Sequence, residues 1–105
     1  MNNNSTPTLT IVTPTYNRSQ MLRACWKSLK DQTNNDFQWL VIDDGSEDNT
    51  RQVIEKFMAE APNMCIDYYF KENGGKHTAL NFSHKYIKGK YVLILDSDDM
   101  LTPDA

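Results

Sequence analysis

The chain has 105 residues and a formal charge of −3, from 11 basic and 14 acidic side chains, which is enough for one domain around one layered core. That balance excludes the concentrated basic face of a nucleic-acid binder. The longest apolar run, Tyr91 to Leu95, is far short of the ~20 residues a membrane span requires, so nothing in this chain crosses a bilayer.

Residues 1–7 are polar and Asn-rich, read as a flexible tail rather than a signal peptide. Thr8 to Val12 is a short β-branched strand that gives way to a loop at Thr13-Pro14. From Ser19 to Asp31, Met21, Leu22, Cys25, Trp26 and Leu29 draw one helical stripe, with Ser19 placed to cap it. Phe37 to Ile42 is a second strand, stopped by Asp43-Asp44-Gly45-Ser46. The stripe recurs at Val53, Ile54, Phe57, Met58 and Ala61 before Pro62 closes a second helix.

Cys65 to Phe70 reads as a third strand, broken by Asn73-Gly74-Gly75. Lys76 to Ile87 forms a helix whose inner side holds Ala79, Leu80, Ser83, Tyr86 and Ile87. Tyr91 to Leu95 is a fourth strand, apolar enough to be covered on both faces. Cys25 and Cys65 have no metal-ligand spacing and are expected as small core residues of a reduced, intracellular protein.

The order β-α-β-α-β-α-β implies an α/β fold: a mostly parallel sheet with helices on both faces and right-handed crossovers. Ligands of such sheets bind outside the carboxyl ends of the strands. Three loops meet that rim: Thr13 to Arg18, Asp43 to Ser46, and Asp96 to Asp99. Two unit charges ~5 Å apart at an effective dielectric of ~20 repel by roughly 3 kcal/mol. A rim with five carboxylates therefore needs protonation, separation or a bound cation. Hard oxygen donors suit Mg²⁺ or Mn²⁺, which complete their shell with water and substrate phosphates.

Each element also has a plainer reading. Asp-Gly-Ser is a common turn, Asp96 and Asp98 can cap a helix, Tyr16 can cover the core edge, and Lys76 can be a solvated charge. His77 and His84 lack metal spacing and read as structural or exposed. It is the combination, in this order along an α/β chain, that resists those readings.

At these residues the chain resembles the family 2 glycosyltransferases, which have the Rossmann-like GT-A fold. The match runs through Leu9 to Arg18, Leu29 to Thr33, Val41 to Thr50, Asn73 to Lys76, Ala79 to Asn81, Gly89 to Val92 and Leu95 to Asp99. Together these segments are specific, although each alone is weak. The resemblance implies a nucleotide-binding part spanning residues 8–105. Thr13, Pro14, Thr15, Tyr16 and Arg18 would line the nucleotide, with Tyr16 beside the base. Asp44, or less readily Asp43, would accept a hydrogen bond from the ring N–H of uracil, and Lys76 would approach the base or the diphosphate.

Asp96-Ser97-Asp98 matches the family's DxD motif. Asp96 would face the ribose and metal shell, Ser97 would help bind the nucleotide, Asp98 with Asp96 would hold Mn²⁺ or Mg²⁺, and Asp99 would support these groups from behind or cap a helix. The implied reaction inverts the anomeric centre of a UDP-sugar as a sugar or glycolipid hydroxyl attacks. Its carboxylate base is expected beyond Ala105, as is the acceptor site, so this chain is read as a truncated donor half. The implied location is cytoplasmic, at most peripheral to the inner face of the membrane.

Two other classes compete. A nucleotidyltransferase of related shape wants a glycine-rich basic loop where Thr13 to Tyr16 stands, and a haloacid-type phosphatase wants Asp in place of Thr13. A phospho-receiver module gathers its acids earlier in the chain.

Overall fold

Strands and helices alternate along the chain in the computed structural model, which describes residues 7–32 and 36–97. In order they are β1 (Leu9–Thr15), α1 (Ser19–Lys30), β2 (Phe37–Asp44), α2 (Thr50–Glu60), β3 (Cys65–Lys71), α3 (Lys76–Ser83) and β4 (Tyr91–Ile94). A 3-10 turn, His84–Tyr86, follows α3. The tail before Pro7, together with Asp98 and Asp99, lies outside the described residues.

All pairings are parallel, and the strand order is β3-β2-β1-β4. The order reverses at β1, which has β2 on one side and β4 on the other, and this switch point is where such sheets leave a crevice.

Side-chain alternation sorts the core into two layers. Ile11, Trp39 and Val41 pack with Leu22, Cys25, Trp26 and Leu29 of α1 and Ile54 and Phe57 of α2. Val12, Leu40 and Ile42 face the other way, onto Ala79 of α3. Helices therefore cover both faces. Trp26 stacks on Phe57 at 4.4 Å with the planes 2° apart. Fully burying an aromatic or aliphatic side chain contributes about 1.5–3 kcal/mol, so this layer anchors both helices.

One polar group crosses the second layer. Gln38 is fully buried yet satisfied: its Nε2 donates to Asp67 Oδ2 at 2.8 Å and to the Tyr86 carbonyl at 3.0 Å. Its Oε1 accepts from Thr10 Oγ1 at 2.8 Å and from Lys88 N at 3.0 Å. Such pairing is what makes a buried amide tolerable. It also corrects the extent of the third helix, which ends at Ser83 rather than Ile87. The chain tightens into the 3-10 turn so that Tyr86 and Lys88 reach Gln38.

Other expectations also change. β1 does not stop at Val12 but runs through Thr13, Pro14 and Thr15. Pro14 is tolerated because its missing N–H faces the β4 side, where the pairing has already ended at Val12 with Ile94. Ser19 is not the cap of α1; Arg18 holds that position without a side-chain cap bond, and the Ser19 N–H donates to Asp48 Oδ2 at 3.2 Å. Met21 and Cys65 are exposed rather than core. β4 is not covered on both faces: Tyr91, Val92, Leu93 and Ile94 are all exposed, because β4 is the outer strand and pairs only with β1 among the described residues.

Candidate functional site

The rim loops enclose a cleft of about 270 Å³ lined by Pro14, Thr15, Tyr16, Arg18, Asp44, Lys76, Asp96 and Ser97. It opens at the carboxyl ends of β1, β2 and β4, at the switch point of the sheet.

Strand parity separates the two acids of the second loop. Asp43 points to the α1/α2 side, is buried, and accepts from the Tyr68 hydroxyl and from Ser46 N. Burial, together with that acceptor, pushes the Tyr68 phenol well above its ordinary pKa. Asp43 thus lies outside the cleft, in a separate surface hollow with Ser46, Asp48, Arg51, Tyr68 and Phe70. Asp44 points to the α3 side and into the cleft wall.

The Asp44 carboxylate, 5% exposed, is wrapped by the β3–α3 loop. Lys71 Nζ donates to its Oδ1 at 2.7 Å, Gly74 N to the same oxygen at 3.0 Å, and Gly75 N to Oδ2 at 2.7 Å. Asn73 Nδ2 donates to its backbone carbonyl at 2.9 Å. Burial raises the carboxyl pKa, but the Lys71 ammonium and the two glycine N–H groups outweigh it and hold the group below its ordinary value. Asp44 is therefore a fixed anion. The wrap also explains Gly45: its φ is +82°, and a Cβ there would meet Asn73 N at 2.7 Å.

Thr13 does not line the cleft. Its hydroxyl accepts from Trp39 Nε1 at 2.8 Å, inside the core. Thr15 does line it, is 3% exposed, and its hydroxyl has no hydrogen-bond partner among the described residues. By strand parity its side chain lies on the face that also carries Thr13 and Asp43, the opposite face from Asp44. Tyr16 is exposed at the mouth. Arg18, also exposed, lines the cleft as well and sets Nη1 against Met21 Sδ at 3.3 Å.

Across the opening, Lys76 Nζ meets Asp96 Oδ1 at 2.7 Å, both side chains being about half exposed. Among the described rim carboxylates, repulsion is relieved by Lys71 on Asp44, by Lys76 on Asp96 and by the placement of Asp43 on the other face of β2. No three His, Cys, Asp or Glu side chains gather into a cation site among the described residues. Asp96 is a hard-oxygen donor with acceptor capacity beyond its one ion pair, which fits a divalent cation. Its expected companion, Asp98, lies outside the described residues.

Two groups that sequence patterns did not single out complete the site. Lys71 is one; the other is the clasp built on Asn17. Asn17 adopts φ 53°, its N–H donates to Ser46 Oγ at 2.8 Å, and its Oδ1 accepts from Glu47 N at 2.7 Å and Asp48 N at 3.3 Å. Asn between Tyr16 and Arg18 was the available signal, since Asn tolerates the left-handed region.

Known proteins share the parallel α/β architecture of this chain. Residues 10–105 match the family model described as glycosyl transferase family 2. The hyaluronan synthase of Pasteurella multocida is 39% identical over 102 residues, covering 97% of this chain and 10% of that protein. A mannosyltransferase from Pyrobaculum calidifontis, solved with GDP-Man and Mn²⁺, superposes with a TM-score of 0.85 at 25% identity, covering 92% of this chain and 29% of the other. S. aureus TarS, solved with UDP, gives 0.84 at 28% identity, again covering 92% and 29%. The chain therefore spans less than a third of each of these relatives.

Proposed function

The chain belongs to glycosyl transferase family 2, and on that premise we propose that its cleft binds the nucleotide diphosphate of a UDP-sugar as the donor half of an inverting glycosyltransferase. The observation that carries this reading is Asp44, an ionised acceptor fixed in the wall of a cleft that Tyr16 and Asp96 also line.

Tyr16 offers an aromatic face to the base, and Asp44 accepts its ring N–H. Thr15 lines the cleft beside Pro14. Arg18 and Lys76 place positive charge where the diphosphate would lie. Asp96, with Asp98, would hold Mn²⁺ or Mg²⁺, and that ion would stabilise negative charge on the leaving diphosphate as a Lewis acid. The residues described here bind and orient the donor. Proton removal from the acceptor falls to a further carboxylate base, distinct from Asp44 and Asp96.

The relation to a hyaluronan synthase supports a sugar or glycolipid hydroxyl as acceptor, in cell-surface polysaccharide or glycoconjugate synthesis. Both cysteines are free, in keeping with a cytoplasmic setting. Among the described residues no helix is long and apolar enough to cross a membrane.

The test is thermal denaturation with ligands. UDP plus Mn²⁺ raises the melting temperature and acetyl phosphate does not. Stabilisation by acetyl phosphate alone would favour a receiver-like module instead.

A further inference from the structure

Beside the acid that reads the base stands a lysine with no donor to spare. Lys71 Nζ donates to Asp44 Oδ1 at 2.7 Å, to Thr78 Oγ1 at 3.0 Å, and to the Glu72 carbonyl. An ammonium has three N–H bonds, so Lys71 is saturated and is not placed to contact a ligand itself. Its effect passes through Asp44.

A carboxylate offers about four acceptor positions, two on each oxygen. On Asp44, Lys71 and Gly74 fill Oδ1, and Gly75 fills one position of Oδ2. One position is left among the described contacts, on Oδ2. Such an acid takes a single N–H.

That count distinguishes bases. Uracil presents one ring N–H on its pairing edge. Guanine presents a ring N–H with an exocyclic amino group next to it, and a carboxylate meets that pair with both oxygens. An Asp44 whose Oδ1 is already occupied suits uracil and leaves one guanine donor unpaired, and leaving a polar group unpaired is a strong basis for rejection.

We infer that Lys71 is a positioning residue that sets base selectivity, by occupying Asp44 Oδ1 and leaving a one-donor acceptor in the cleft. The inference rests on the donor-site reading above. Thr78 belongs to the same device, since its hydroxyl holds the ammonium from the far side and itself donates to the Gly75 carbonyl at 2.7 Å. Charge alone is not the determinant: Arg18 and Lys76 also line the cleft, but neither occupies Oδ1 among the described contacts.

The experiment compares UDP and GDP affinities by titration calorimetry, with Mn²⁺ present, for the 105-residue chain and three variants. The native chain favours UDP by about tenfold or more, the size of one unpaired hydrogen-bonding group. In Lys71→Met, UDP affinity falls and the UDP-to-GDP ratio collapses toward one, while Lys71→Arg keeps most of it. Thr78→Val keeps the lysine charge but frees its tether, and gives an intermediate ratio; it decides the matter if Lys71→Met does not fold. An unchanged ratio in a folded Lys71→Met, or in Thr78→Val where only that variant folds, overturns the role of Lys71. A native chain that binds neither nucleotide overturns the donor-site reading itself.

Discussion

Lys76 Nζ lies 2.7 Å from Asp96 Oδ1, joining the first turn of α3 to the end of β4 across the mouth of the cleft. Both side chains are about half exposed, and exposed pairs contribute only about 0–1 kcal/mol. Lys76→Met should therefore leave the urea midpoint nearly unchanged. It should weaken UDP binding several-fold, because the cation faces the proposed diphosphate seat. Calorimetry beside urea denaturation separates the two effects.

Asn17 holds the β1–α1 loop to the β2–α2 loop through Ser46, Glu47 and Asp48. Asn17→Ala loses two accepted N–H bonds and leaves a Cβ-bearing residue at φ 53° without its local partner. The expected loss is about 1–3 kcal/mol. Asn17→Gly relieves the backbone but not the bonds, so it should recover part of that loss. Equal stability of all three proteins in urea would remove the clasp.

Asp48 accepts from Ser19 N at the start of α1 and from Thr50 N at the start of α2. Capping bonds contribute about 0.5–2 kcal/mol each, so Asp48→Ala should be more costly than the loss of one ordinary cap. Equilibrium unfolding checks this directly.

The acid limb of stability follows from Asp44 and Asp48. Burial raises both carboxyl pKa values, but hydrogen bonds outweigh it and leave both below the ordinary 3.8. A depressed folded value stabilises the native state above the unfolded pKa, and that stability is lost as pH falls through about 4 and below. Stability of the native chain should therefore drop on acidification in this window. The drop should be shallower in Asp44→Asn, whose group does not titrate. Parallel slopes in urea unfolding at stepwise pH would contradict it.

Much of this is legible in the sequence. Leu22, Cys25, Trp26 and Leu29 announced α1 by spacing, and all four are buried. The alternation of strands and helices implied parallel pairing, and the strand ends do share a rim. The choice between Asp43 and Asp44 was only half legible, because it depends on which face of β2 each occupies. Lys71 was not legible at all. Its partner is 27 residues away, and nothing local distinguishes it from a solvated surface lysine. The apolar run of β4 read as a doubly covered strand, since periodicity records the character of a segment and not its neighbours; here its side chains are exposed.

The donor-site account is tested most directly by a crystal structure of the chain soaked with UDP and Mn²⁺. The uracil should lie against Tyr16 with its ring N–H on Asp44 Oδ2, and the diphosphate beside Asp96 with the metal between them. A nucleotide bound away from Asp44, or a diphosphate turned away from the end of β4, would contradict it.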